Sequence, residues 1–230
     1  MRPLRSAAVL ALLLAAAGCR HASPPTPLPP DWQRLVREPR PYAAMYRFSC
    51  CAHSDLVLTL RGDRRVLSLT LAVPPGGTAL AAWITADGGW VERTKERCRE
   101  RLAGAVLPLS SHASLPLDPE LASLLLAGLL PAGAREVPRQ QGWVEATAGD
   151  YWWRARIEGP DPHWTRVVIG RRNEEVPLVN AVRSDPNPLP HELTITAGSV
   201  KAKLVLQVWQ ESVAPASPAW LAAPVCGGGS

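Results

Sequence analysis

The sequence predicts a mainly β domain of the α+β class: a curved, barrel-like antiparallel sheet with one short apolar helix laid over it. Three observations carry this expectation. Apolar residues recur with period two in short runs along most of the chain, as in "VLSLTLAV", "YWWRARI" and "VKAKLVLQVW". Turn-forming residues separate those runs at close intervals, which favours an antiparallel meander over a parallel sheet with helical crossovers. One stretch, "LDPELASLLLAGLLP", leaves the two-residue period and carries helix start and stop signals.

Before the domain comes a different kind of segment. Residues 1–18 pair Arg2 and Arg5 with an apolar run from Ala7 to Ala17. A membrane-spanning helix needs about 20 apolar residues, so this run is too short. A charged start, an apolar middle and small residues before a cleavage point describe a secretory signal peptide. "AAGC" resembles a bacterial lipobox, with Ala16 where leucine is usual, and Cys19 would then be the lipidated first residue of the mature chain. Arg20 stands where an aspartate would signal inner-membrane retention, which points to the outer membrane. Several acyl chains would make a lasting anchor where one binds only marginally. Residues 19–30, including "HASPPTPLPP", read as a proline-rich spacer.

Residues 31–213 have the length of one domain. Residues 31–38, "DWQRLVRE", suggest a short amphipathic helix. "YRFSC", "LVLTL", "VLSLTLAV" and "TALAAWIT" follow as strands, with Leu67, Leu69 and Leu71 on one face. "WVERTKERCRERL" reads as a polar hairpin because "DGG" precedes it. In the helical stretch Asp118 is the expected N-cap and Pro119 the first helical residue, where a missing N–H costs nothing. Gly128 and Pro131 end it. Leu121, Leu124 and Leu125 share a face, and Ala122 and Leu126 make the helix apolar nearly all round, so it must be covered on more than one side. "GWVEAT", "YWWRARI", "WTRVVIG", "VPLVNAV", "HELTIT" and "VKAKLVLQVW" complete the strands. The last has Val200, Ala202, Leu204, Leu206 and Val208 on its apolar side, and residues 214–230 read as a flexible tail.

Charge and cysteines narrow the function. The net charge of +5 falls to +3 once Arg2 and Arg5 leave with the signal, and the arginines are dispersed, so nucleic acid is not an expected partner. With Cys19 on lipid, Cys50, Cys51, Cys98 and Cys226 remain as candidate disulfides in an oxidising compartment. Adjacent cysteines rarely bond each other, so Cys50 and Cys51 are expected to take Cys98 and Cys226 as separate partners. No C-x-x-C, zincin, nucleophile elbow, phosphate loop or dinucleotide pattern is present. His53, His112 and His163 lie in turn-like surroundings, and His191-Glu192 lacks a second histidine. Hence no catalytic residue, metal or cofactor is expected. A hydrolase built from carboxylates that meet only in space is the weakest reading. Nine tryptophans stand against one phenylalanine, and Trp83, Trp143, Trp153, Trp164 and Trp209 fall in or beside strands, where indoles fill a core or line a pocket for acyl chains.

Three stretches carry a resemblance: "LAVPPGGTAL", "LPLDPELASLLLAGLLP" and "LPHELTITAGSVKAKLVLQVW". Together with the exported, lipobox-bearing start, the chain resembles the LolA/LolB family of lipoprotein carriers and outer-membrane lipoprotein receptors over most of residues 46–210. The resemblance implies a curved, incomplete antiparallel β-barrel with a helical lid over an apolar cavity for acyl chains. On this chain the expected lining is Leu67, Leu69, Leu71, Trp83, Leu121, Leu124, Leu125, Trp153, Leu204 and Leu206. It also implies a projecting loop at Pro74, Pro75, Gly76 and Gly77, with Pro75 where the receptor branch has an exposed leucine. The implied partners are lipids or lipoprotein acyl chains, a periplasmic lipoprotein carrier, and the outer membrane through the N-terminal lipid. The alternative is an envelope interaction or assembly lipoprotein that kept the fold and lost the carrier role.

Overall fold

The computed structural model describes residues 26–50, 53–102, 104–110, 113–116, 118–138 and 140–227. Residues 1–18, read above as a signal peptide, and Cys19, Cys51 and His112 lie outside the described residues.

Among the described residues, fifteen strands alternate with very little helix. A first meander contains β1 (Tyr42–Cys50), β2 (His53–Gly62), β3 (Val66–Val73), β4 (Gly77–Thr85), β5 (Gly88–Arg93) and β6 (Cys98–Leu102). An insertion follows: the hairpin β7 (Val106–Ser110) and β8 (Ala113–Pro116), then a helix (Pro119–Leu126). A second meander has β9 (Arg135–Glu136), β10 (Trp143–Ala148), β11 (Tyr151–Glu158), β12 (His163–Arg171), β13 (Val179–Arg183), β14 (Glu192–Ala197) and β15 (Val200–Glu211). The two meanders join where β1 pairs antiparallel with β15. This gives one 13-stranded sheet in the order β6-β5-β4-β3-β2-β1-β15-β14-β13-β12-β11-β10-β9, open between β6 and β9, with β7 and β8 as a separate pair. The sheet is the curved, incomplete barrel expected, and "WVERTKERCRERL" is the expected hairpin.

Near the N-terminus, helix is confined to α1 (Pro30–Gln33), shorter than the 31–38 expected. Leu35 is buried instead in the core, and its carbonyl accepts from Leu130 N–H at 2.8 Å. The packed chain also begins before Asp31. Leu28 is buried, and the Thr26 carbonyl accepts from Glu136 N–H at 3.1 Å where spacer was expected.

The period-two reading of β15 fails at one residue. Tyr46 pairs with Leu206 but Met45 with Val208, so Gln207 is an extra residue in a bulge. A bulge moves every following side chain to the opposite face. Val208 is therefore 41% exposed, and Trp209 turns inward to stack on Tyr42 with centroids 4.7 Å apart.

The disulfide expectation is corrected. Cys98 bonds Cys226 with Cα atoms 5.1 Å apart, so neither is left for Cys50 or Cys51. The sequence offered four cysteines but not which strand edge the C-terminus would reach. The tail expected to be flexible runs back to β6: Arg99 N–H donates to Pro224 O at 2.8 Å and Cys226 N–H to Arg99 O at 2.9 Å. A crosslink spanning 128 residues restricts the unfolded chain strongly. Replacing Cys98 and Cys226 by serine is expected to cost about 2–5 kcal/mol of unfolding free energy. Denaturant titration checks this, and the parent under reductant should match the double variant.

Candidate functional site

The concave face of the sheet divides into two ends. At one end stand Tyr42, Tyr46 and Trp164, all fully buried. Trp164 lies under the Arg183 guanidinium at 5.3 Å from the ring centroid. Burial pushes both tyrosine phenols well above their ordinary range and pulls Arg183 below its own. Arg183 Nε donates to Asp185 O at 2.9 Å, and Nη2 donates to Asn187 O, which closes this end.

At the other end the side chains are smaller and the face is hollow. β2 and β3 place Leu58 opposite Leu71 and Leu60 opposite Leu69. β14 and β15 contribute Ile195 opposite Ala202 and Ala197 opposite Val200. The second helix, α2 (Pro119–Leu126), closes the roof with Leu121, Ala122, Leu125 and Leu126. Between them lies a cavity of about 220 Å³, lined by apolar side chains with Tyr151 and Cys50 among them. Phe48, Leu71, Leu80, Leu178 and Ile195 are only half-buried, so they form the mouth.

The structure assigns each expected residue a place. Leu67, Leu69, Leu71, Leu121, Leu125 and Leu204 line the cavity. Trp83, Leu124, Trp153 and Leu206 do not. Trp83 alternates with the inward Ala82 and Ile84, so it points to the outer face, opposite Trp90. Leu124 is buried in the packed core. Trp153 is buried opposite the lining residue Ile169 without lining the hollow itself, and Leu206 pairs with Tyr46. Leu56, Leu58 and Leu60 were overlooked as lining although their alternation in "LVLTL" is plain. Ile169, Leu178 and Val179 gave no such signal, because only the curvature of the sheet brings them across.

Directional bonds at its start and middle hold α2 over the hollow. Asp118 accepts from Leu121 N–H at 3.1 Å as the expected N-cap. Ser123 Oγ donates to Asp63 O at 2.9 Å, tying mid-helix to the β2–β3 turn. Arg64 bridges Glu120 at 2.9 Å and Glu38 at 2.5 Å. Gly128 ends the helix at φ +73, where a Cβ would meet Pro188 O at 2.4 Å.

The tip of the β3–β4 hairpin rises at the mouth end. Pro74, Pro75 and Gly76 make the turn, with Gly76 N–H donating to Val73 O at 3.0 Å, and Gly77 opens β4. Residues 73–79 are all exposed, so this loop projects. Elsewhere His163 Nδ1 lies 2.8 Å from Asp161 O, and burial lowers its pKa. Among the described residues, no three His, Cys, Asp or Glu side chains come together to hold a metal. No helix among them is long and apolar enough to cross a membrane.

A meander around a roofed, apolar hollow can be compared with solved structures. The chain has a LolA-like fold. A LolA superfamily protein from Nitrosomonas europaea superposes with a TM-score of 0.53 at 10% identity, over 80% of this chain and 92% of that one. A putative outer membrane lipoprotein-sorting protein domain from Vibrio parahaemolyticus gives 0.50 at 11% identity, over 80% of this chain and 90% of that one. No protein-family model and no curated protein matches the chain by sequence. The LolA/LolB-like expectation therefore stands at the level of fold.

Asp118 links the roof to pH. Burial raises its pKa above the ordinary carboxylate value, and at the cavity wall burial first and the Asp118 charge second raise that of Tyr151. A carboxyl with a raised folded-state pKa penalises the folded state once ionised. Stability from its neutral form is complete below the unfolded pKa and declines as pH rises through the folded one. Asp118→Asn keeps an acceptor and removes the charge. It should melt no lower than the parent at pH 7, and any gain should shrink as thermal melts are taken toward pH 4.

Proposed function

We propose that this chain is an outer-membrane-anchored periplasmic lipoprotein that takes acyl chains, or the lipidated end of another protein, into its apolar cavity, in lipoprotein localisation. The cavity carries the reading. A dry engineered cavity of about 150 Å³ lined by Leu, Ile and Phe already binds benzene, and this one is larger at about 220 Å³. Its half-buried mouth would let a chain enter end-on, and each methylene taken from water gains about 0.8 kcal/mol. Nothing in that interaction calls for catalysis or a cofactor. Cys19 would carry the anchor, and a periplasmic lipoprotein carrier is the partner this role would need. The projecting loop at Pro74–Gly77 would stand between mouth and membrane. Because its tip holds prolines rather than a long aliphatic side chain, a second reading is an envelope interaction module with the same fold.

The test is displacement of a hydrophobic dye by a fatty acid on the Cys19→Ser chain. Leu69→Trp should fill the hollow and weaken dye binding about tenfold or more. Overpacking would cost about 1–3 kcal/mol, which thermal melting would register without loss of the fold. Trp83→Leu, on the outer face, should bind as the parent does. A parent that binds neither dye nor lipid removes the carrier reading and leaves the interaction module.

A further inference from the structure

The hairpin of β5 and β6 takes no part in the cavity, and its composition is unusual for this chain. Residues 92–101, "ERTKERCRER", hold five cations and three carboxylates. Residues 93–97 are all exposed. Arg93 pairs with Glu100, and Arg99 lies over the Trp90 ring at 4.3 Å from its centroid. Among the described residues, neither Lys95 nor Arg97 has a carboxylate partner. Glu96 is the one carboxylate in the turn between them.

Topology fixes where this tip emerges. β4 pairs with β3 on one side and β5 on the other, with Ala82 opposite Val91 and Trp83 opposite Trp90. β5 therefore runs back toward the mouth, and the turn at residues 94–97 comes out at the same end as the β3–β4 projection. The β4–β5 ladder ends at Ala82 and Val91, and both turns lie beyond it at the same end of the sheet. The projection is exposed over residues 73–79, and no charged residue or histidine occurs from Val66 to Ala86. A neutral, partly apolar tip thus shares one end of the sheet with a cationic one.

The cationic tip is also held in place. Cys98, directly after the turn, is bonded to Cys226, and both backbone groups of Arg99 bond the returning tail. The charged turn is thus anchored on its C-terminal side.

We propose that the β5–β6 tip docks on an anionic phospholipid surface, with Lys95 and Arg97 meeting headgroup phosphates while the neighbouring Val73–Gly77 projection enters the interface. Cations near such a surface are attracted within about one Debye length, roughly 10 Å at 0.1 M salt. Lasting attachment at an interface takes two signals, and apolar contact plus basic charge is one such pair. An acidic protein would answer the charge but not the uncharged projection beside it. The proposal does not depend on the cavity holding a ligand.

The experiment is vesicle flotation of the full chain carrying Cys19→Ser. Vesicles contain either phosphatidylglycerol with phosphatidylethanolamine or phosphatidylcholine alone. Lys95→Gln with Arg97→Gln should weaken binding to the anionic vesicles roughly 10–30-fold at low salt, following the per-cation attraction, and 0.5 M salt should abolish the difference. Arg154→Gln with Arg156→Gln removes the same charge from strand β11 and should bind as the parent does, which separates location from net charge. Any membrane affinity of the N-terminal apolar segment is common to all three chains. Equal binding by all three, or equal loss in both variants, would overturn the proposal. So would unchanged vesicle binding accompanied by loss of a protein crosslink to the tip, which would make the hairpin a protein dock.

Discussion

A sheet of thirteen strands that does not close leaves its apolar concave face to be covered by other parts of the chain. Burying that face is the constraint on which the rest of the molecule depends. The chain meets it in two ways. At one end the large rings of Tyr42, Tyr46 and Trp164 are fully buried in the core. At the other end leucines and alanines do not reach, and α2 is laid across instead. A roof of leucine over a floor of leucine closes the gap only in part, and the remainder is the hollow. The cavity thus follows from how side-chain size is distributed along the strands.

The same open sheet has two edges, each a row of unpaired backbone groups that would invite aggregation. Both are met by the ends of the described chain. Thr26 bridges β9 through Glu136, and Val225 bridges β6 through Arg99, the second contact secured by the Cys98–Cys226 bond. The termini therefore belong to the architecture. That placement also explains why the edge next to the mouth can carry a dense charged hairpin and still hold one shape.

Fixing the roof draws on modest interactions. The Ser123 bond to Asp63, the Asp118 cap and the exposed Arg64 bridges are each worth on the order of 1 kcal/mol or less. They set the direction of α2 more than its affinity, which comes from its nearly continuous apolar surface. Such a roof is held firmly in register yet rests on contacts that a hydrocarbon chain could replace in kind.

The sequence by itself determined what depends on neighbours along the chain. Period-two runs marked the strands, Asp118-Pro119 and Gly128 marked the helix, and "DGG" marked the β5 hairpin, because turns, caps and pleats are local physics. The faces of β2 and β3 were legible for the same reason. Tertiary structure alone decided the rest. The bulge at Gln207 exchanged Val208 for Trp209 on the inner face, since an extra residue is defined only by the partner strand. Pairing of Cys98 with Cys226 required the tail to reach the β6 edge. Trp83 and Trp153 were expected at the hollow, but pleat and position sent one outside and buried the other beside the lining residue Ile169. A cavity is the space left when distant side chains fail to meet, and only the curvature of the whole sheet sets which of them face each other.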